Sequence, residues 1–296
     1  MKYKRIKSII AAGIMTLGLV SCSSKSSEDK TVAVANGEEV VVATSVAVTE
    51  ILDALGVKVS GVPSTSYELP GSTKDAVEVG NPMSPDLEII KSLNPTMVVS
   101  VDTLGSDYMN LFTENNIPSE FVSLESLDGL KEAITTLGEK FDKNDEAKDL
   151  LEQIESKELE VKEKADNLDN PEVLVLFAAP GSTMIATSKS YVGSLVELVG
   201  GKNIIEDSST AFITYNKEDL AMLNPEKILV MVHALPEETK AALEAEMASD
   251  SAWQNINAVK EGNVIYLDNE YFGMSANLKV IEGLEMLSDI VHGSGE

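Results

Sequence analysis

One block of sequence that occurs twice constrains this chain more than any other feature. Leu87-Glu88-Ile89-Ile90-Lys91-Ser92-Leu93-Asn94-Pro95, running into Thr96-Met97-Val98-Val99, reads as a short amphipathic helix, an Asn-Pro stop and a buried strand. Ser84 or Asp86 can cap that helix. Residues 217–233 repeat the layout. Aligning Pro95 with Pro225 sets Glu88 against Glu218, Leu93 against Leu223, and Val98-Val99 against Ile228-Leu229. A supersecondary unit stated twice predicts two similar lobes.

The rest of the chain fits that frame. Strands are expected at residues 39–43, 57–62, 121–124 and 264–267, and helices at 49–55, 107–114, 127–140 and about 277–291. The second half opens with strands at 173–177 and 184–187 and a helix at 191–199 stopped by Gly200-Gly201. Ala186-Thr187-Ser188 before that helix echoes Ala43-Thr44-Ser45 before the first one. Strands alternating with helices indicate parallel-rich α/β sheets. Residues 144–168 differ: they are charged and lack Gly and Pro. They carry Ala147, Leu150, Leu151, Ile154, Leu159 and Ala165 on a mostly helical period. We read them as one long connecting helix. The predicted organisation is an α/β lobe over 39–141, the connecting helix over 142–170 and a second α/β lobe over 171–296.

The amino terminus stands apart. Lys2, Lys4, Arg5 and Lys7 precede an apolar run over residues 9–20, too short to span a membrane and suited to a secretory signal. It ends in Leu19-Val20-Ser21-Cys22, which resembles the lipobox of bacterial lipoproteins, and Cys22 is the only cysteine in the chain. Residues 1–21 are then a signal peptide and 22–38 a lipid-anchored tether. The balance of 23 basic and 49 acidic residues, a net charge of −26, argues against nucleic acid as a partner. It also disfavours a cleft that holds an anion by charge alone.

Few parts of an enzyme are present. There is no Gly-x-Ser-x-Gly elbow, no phosphate-binding Gly-Lys loop and no His-Glu-x-x-His. Of the two histidines, His292 lies near the carboxyl terminus and is expected to be solvated. His233 directly follows the strand at 228–232, at the carboxyl edge of a sheet, where open α/β folds bind ligands. A histidine there is often only a structural hydrogen-bonder. Met83 occupies the equivalent region of the first lobe, and a methionine in such a loop is often only packing. By the repeat, both should face the cleft between lobes. Thioether and imidazole together are an established axial pair for haem iron.

The repeated Leu-Asn-Pro blocks, the long connecting helix and the lipobox resemble the class III substrate-binding lipoproteins of iron-complex ABC importers. That group binds vitamin B12, siderophores and haem. The stretches Gly80-Asn81-Pro82-Met83-Ser84-Pro85 and Val232-His233-Ala234-Leu235-Pro236-Glu237 are similar to the ligand motifs of the haem-receiving lipoproteins of Gram-positive iron-regulated surface systems. The resemblance implies haem as transported ligand, with Met83 and His233 as axial ligands of its iron. It implies no enzymatic activity. It implies Ser84, Ile213, Thr214 and Tyr215 near the ring, and Lys189 and Lys217 as candidates for the propionates. It further implies that Glu88 and Glu218 dock an ABC permease served by its ATPase. A surface haem donor, a monomeric state and a lipid-anchored location on the outer face of a Gram-positive membrane complete the expectation. A siderophore or corrinoid cargo is the alternative within the group, and an enzyme or signalling domain on a similar scaffold is the alternative outside it.

Overall fold

The computed structural model describes residues 39–205 and 208–293. The expected signal peptide, tether and Cys22 lie outside the described residues. In chain order the first lobe contains β1 (Val41–Ala43), α1 (Val46–Ala54), β2 (Val59–Val62), β3 (Val77–Glu78), β4 (Gly80–Asn81) and β5 (Ser84–Pro85). It continues with α2 (Leu87–Ser92), β6 (Met97–Val101), α3 (Ser106–Glu114), β7 (Ser119–Val122) and α4 (Leu127–Lys140). The strands pair in parallel in the order β3-β2-β1-β6-β7, with valine-rich β1 and β6 buried at the centre and β3 exposed at one edge. β4 and β5 make a separate antiparallel hairpin.

The helix α5 (Asn144–Ala165) leads to the second lobe. There follow β8 (Glu172–Ala179), β9 (Ser182–Ala186), α6 (Tyr191–Leu198), β10 (Lys202–Asn203), β11 (Phe212–Ile213) and α7 (Lys217–Leu223). The lobe ends with β12 (Lys227–Val232), α8 (Pro236–Ser249), α9 (Ser251–Asn255), α10 (Asn257–Lys260), β13 (Val264–Tyr266) and α11 (Val280–His292). The second sheet runs β11-β9-β8-β12-β13, with β10 paired to β8. β8, β12 and β13 are parallel, while β9 runs antiparallel to both β8 and β11. The reversal needs a two-residue turn, Pro180-Gly181, and Gly181 supplies its φ of +73°.

α5 carries acidic Asp145 and Glu146 in its first turn and Lys162 and Lys164 in its last, complementing its dipole. Ala147, Ile154 and Val161, each two turns from the next, form its buried stripe together with Ala165. Leu159, assigned to that stripe by the sequence pattern, points outward and is 59% exposed. Its place is taken by Val161, which stays in phase with Ile154.

The two lobes share one hydrophobic core. It contains Val41 and Val99 of the first sheet, Leu130 and Leu137 of α4, Ile154 of α5, Leu195 of α6, Val175 and Leu229 of the second sheet and Leu284 of α11. Each fully buried aliphatic side chain contributes about 1.5–3 kcal/mol. Ion pairs along this seam, Lys131–Glu158 at 3.0 Å and Lys164–Asp289 at 3.0 Å, are partly or largely exposed and contribute about 1 kcal/mol or less each. Apolar burial therefore dominates the junction. The Ala276 amide also donates to the Leu124 carbonyl across it, at 2.7 Å. Burial pushes the Glu50 carboxyl up, with nearby Lys279 opposing the shift. His292, expected to be solvated, is instead half-buried with its Nε2 2.6 Å from the Val199 carbonyl. The end of α11 folds back against the end of α6, which removes the ring from solvent.

The outer face of each sheet packs on its own helices. Ile90 of α2 and Phe112 of α3 cover Val42 and Val98, while Leu220 of α7 and Trp253 of α9 cover Leu176 and Val230. The repeated blocks match in detail. Of the two capping candidates, Asp86 caps α2, accepting from the amides of Glu88 and Ile89, and Asn216 caps α7 through the amide of Glu218. Both Leu-Asn-Pro stops use a left-handed asparagine, Asn94 at φ 49° and Asn224 at φ 48°. Asn94 bonds only within its own turn, its Nδ2 donating to the Ser92 carbonyl at 3.3 Å, whereas Asn224 ties down a second helix, its Oδ1 accepting from the Asn257 amide at 2.8 Å at the start of α10. Asn94→Gly should change stability by less than about 0.5 kcal/mol, whereas Asn224→Gly should lower it by about 1 kcal/mol. Urea unfolding of the two variants measures the difference, and equal effects would refute it.

Candidate functional site

Met83 owes its position to turn chemistry. β4 and β5 register Gly80 against Pro85 and Asn81 against Ser84, leaving Pro82-Met83 as the turn. Asn81 Oδ1 accepts the Met83 amide at 2.9 Å, an Asx-type turn, and Pro82 fixes its own φ. Gly80 has φ +99°, and a Cβ there would lie 2.9 Å from the Asp86 amide nitrogen, so glycine is required. The hairpin root is tied down by Asp86 N to Val79 O at 2.7 Å, Ser64 N to Gly80 O at 2.8 Å and Tyr108 Oη to Pro85 O at 2.8 Å. Burial pushes the Tyr108 phenol up to about 12, with Asp86 adding to it. The thioether at the tip of this anchored hairpin is 69% exposed. Ser84, in β5, is also exposed.

His233 stands one residue beyond β12. Its amide donates to the Ala178 carbonyl at 2.7 Å, extending the β8–β12 ladder, and its side chain is exposed. Leu229 and Met231 face the shared core with Val175 and Phe177, and His233 continues that alternation. Its ring lies 5.7 Å from that of Phe177 at an interplanar angle of 30°, and Phe177 in turn packs on Phe212 at 5.2 Å. These two phenylalanines were not singled out in the sequence. Only strand register brings them beside the histidine.

The backbone leaving His233 is strained. Ala234 and Leu235 are both left-handed, at φ 59° and 44°, and neither is Gly or Asn. Such a residue costs about 1–2 kcal/mol. Thr239 compensates in part, its Oγ1 donating to the Ala234 carbonyl at 3.0 Å and its amide to the Leu235 carbonyl at 2.9 Å. Pro236 then opens α8. Strained non-glycine residues concentrate where a fold positions functional groups.

The other ring candidates fall into different surroundings. Ile213 and Tyr215 pack against the outer-face cluster of the second lobe, Tyr215 edge-on to Trp253 at 6.0 Å, whereas Phe177 and His233 belong to the opposite face of that sheet. Thr214 is exposed. The Tyr215 hydroxyl is bonded to Thr183, and burial pushes its phenol up to about 12. Tyr215, Leu235, Thr183 and Glu246 help line a cavity of about 480 Å³ that has neither Met83 nor His233 in its wall. A wider depression of about 560 Å³ between α5 and α11, lined by Glu152, Lys157 and Ile281, holds none of the site residues. Among the described residues, no bond or ring contact joins Met83 to His233.

Lys217 is committed elsewhere. It reaches Glu246 at 2.6 Å and Asp250 at 2.9 Å, and those two carboxylates hold its ammonium well above the usual lysine range. Lys189 is exposed. Glu88 and Glu218 occupy the same place in their helices, second after the cap, and both are exposed. Glu88 pairs with Lys91 at 3.3 Å. Among the described residues, no group of three or more His, Cys, Asp or Glu could hold a metal ion, and no helix is long and apolar enough to cross a membrane.

The sequence is 35% identical over 288 residues to the high-affinity heme uptake system protein IsdE of Staphylococcus aureus strain Newman, covering 97% of this chain and 98% of that one. The crystal structure of S. aureus IsdE complexed with heme superimposes with a TM-score of 0.82 at 35% identity, covering 86% of this chain and all of that one. An ABC transporter substrate-binding protein from Listeria monocytogenes EGD-e gives the same TM-score at 37% identity, over 86% of this chain and 99% of its own. The profile of the periplasmic binding protein family matches residues 41–271. With two sheets, a single helix between them and that match over most of its length, the chain belongs to the periplasmic binding protein family, in the class III fold, and is a substrate-binding transport protein and not an enzyme.

Proposed function

We propose that this protein binds haem in the cleft between its lobes and delivers it to an ABC importer. The observation that carries the reading is the near full-length likeness to a haem uptake protein whose structure holds haem. The placement of one soft and one imidazole donor at the carboxyl edges of the two sheets is consistent with it. Porphyrin iron brings four nitrogen donors of its own, so two protein ligands complete six-coordination. Met83 would supply a thioether from a hairpin tip held at its root, and His233 an imidazole from a strand end. Apolar surface beside them would take the ring. Lys217, neutralised by two carboxylates, is a poor partner for an anionic chelate, which weighs against a siderophore cargo. Ser84, Ile213, Thr214 and Tyr215 are retained as pocket candidates, with Ile213 and Tyr215 requiring approach from the outer face of the second sheet. Lys189, exposed, remains a candidate for a propionate.

The first test is a haem titration of the purified full chain, read by absorption in both oxidation states. The wild type should saturate at one haem with low-spin six-coordinate bands, and Met83→Ala and His233→Ala should each become high-spin and bind at least roughly tenfold more weakly. Absence of saturable binding would remove the haem reading, and a spectrum indifferent to Met83 would remove that ligand alone.

Delivery and location make two further predictions. Glu88 and Glu218, set alike on the two lobes, would meet basic residues on the two halves of a dimeric permease. Glu88→Lys with Glu218→Lys should leave the haem titration unchanged and abolish stimulation of the reconstituted permease–ATPase. Stimulation that survives both reversals would refute docking through this pair. The protein would act as a monomer that receives haem from a surface donor while anchored through acylated Cys22 on the outer face of the membrane. Cys22→Ala should move it from the membrane fraction to the medium of a Gram-positive host, and retention on the membrane would rule out a lipid anchor at that residue.

A further inference from the structure

We infer that Phe177 is the positioning residue for the His233 imidazole, setting the plane in which it meets iron. The inference rests on the axial role proposed for His233 and adds a residue that the ligand motifs do not contain. Metal-bound histidines ordinarily donate their second ring N–H to a carboxylate or carbonyl, which fixes both tautomer and ring plane. Here, among the described residues, neither ring nitrogen of His233 has a hydrogen-bond partner. The ring contact that the imidazole makes is with Phe177, a tilted pair at 5.7 Å and 30°, inside the distance range of interacting aromatic rings.

The contact is built by the fold. Phe177 pairs in register with Met231, two residues before His233 and on the same face, while the Ala178 carbonyl holds the His233 amide. Both ends of the ring pair are therefore fixed by the β8–β12 ladder. Phe212 backs Phe177 at 5.2 Å and 57°, so the phenyl ring does not swing away. Beyond His233 the chain turns left-handed at once, through Ala234 and Leu235. That turn takes α8 off the strand axis and leaves the histidine ring on the shelf of Phe177. The ring contact sets the plane of the imidazole and leaves both nitrogens open, one of them to ligate. A neutral ring without a carboxylate behind it is a weaker donor than one polarised by a carboxylate, which suits a cargo that has to be released.

The test is a haem titration with absorption in both oxidation states on the full chain and on Phe177→Leu, Phe177→Tyr, Phe212→Leu and His233→Ala. Loss of one aromatic pair should weaken haem binding by roughly two- to tenfold. Phe177→Leu should in addition show a high-spin fraction at saturation, which loss of packing energy alone does not produce. Phe177→Tyr, which keeps the ring, should restore the low-spin spectrum. Phe212→Leu removes a ring that does not touch the histidine and should stay low-spin. The inference is overturned if Phe177→Leu keeps wild-type affinity and spectrum while His233→Ala turns high-spin, and the axial reading then survives. It is also overturned if both Leu variants lose the low-spin bands equally, which marks general loosening of the sheet edge. A wild-type spectrum in His233→Ala would overturn the axial reading and this inference together.

Discussion

The arrangement of this protein depends on a hydrophobic core that does not stop at the lobe boundary. Each sheet gives one face to its own helices and the other to a layer shared through α4, α5, α6 and α11. Hinged two-lobed proteins move because their junctions are small and polar; this junction is neither. Opening it would expose side chains worth about 1.5–3 kcal/mol apiece, against surface ion pairs worth a fraction of that. A cleft carried on such a seam, as proposed, would be formed before its ligand arrives and would change shape little on binding. Adaptation then falls to the loops at the carboxyl edges.

Those loops are engineered by local backbone chemistry in two different ways. The first lobe uses glycine, an Asx-type turn and proline to build a small hairpin without strain, and its tip carries Met83. The second lobe uses the end of a strand paired on both sides, and then turns away through two left-handed residues that resist that conformation. One group is thus set on an anchored but peripheral arm and the other just beyond the end of an inner strand. If the two close on a flat ligand, the small adjustment available lies at the hairpin turn and at residues 233–235 rather than between the lobes.

Much of this was legible in the sequence, for a definite reason. Helical period, strand-length apolar runs and Asn-Pro punctuation are local signals, so α4, α5, the repeated blocks and the alternation of elements could be read from residues in line. Features decided by long-range pairing could not. The contact of Phe177 with His233 and the pairing of β9 with β11 depend on register between segments distant in sequence, while β4 and β5, a local hairpin, are too short at two residues each to leave a periodic signal. Leu159 is an exception that the period itself explains: it lies five residues after Ile154 and so off the stripe, whereas Val161, seven residues on, is in phase. Ala234 and Leu235 carry no glycine or asparagine to announce a left-handed bend. Met83 and His233 stood out because the repeat located the sheet edges, and their chemistry was then read against that position.

Charge and coordination together narrow what such a site can hold. The chain has a net charge of −26, and Lys217 near the second-lobe loops is already matched by Glu246 and Asp250. A small anionic ligand held by charge would meet an unfavourable field here. Thioether and imidazole are neutral donors and act over a bond length, while the surrounding negative field is screened beyond roughly 8 Å at physiological salt. A large flat apolar ring with a coordinating metal at its centre gains from burial and from ligation, both short-ranged, and can leave its acidic groups in water. Under the proposed reading an acidic exterior is tolerable, because the burial and ligation that would hold the cargo act at shorter range than the surface charge.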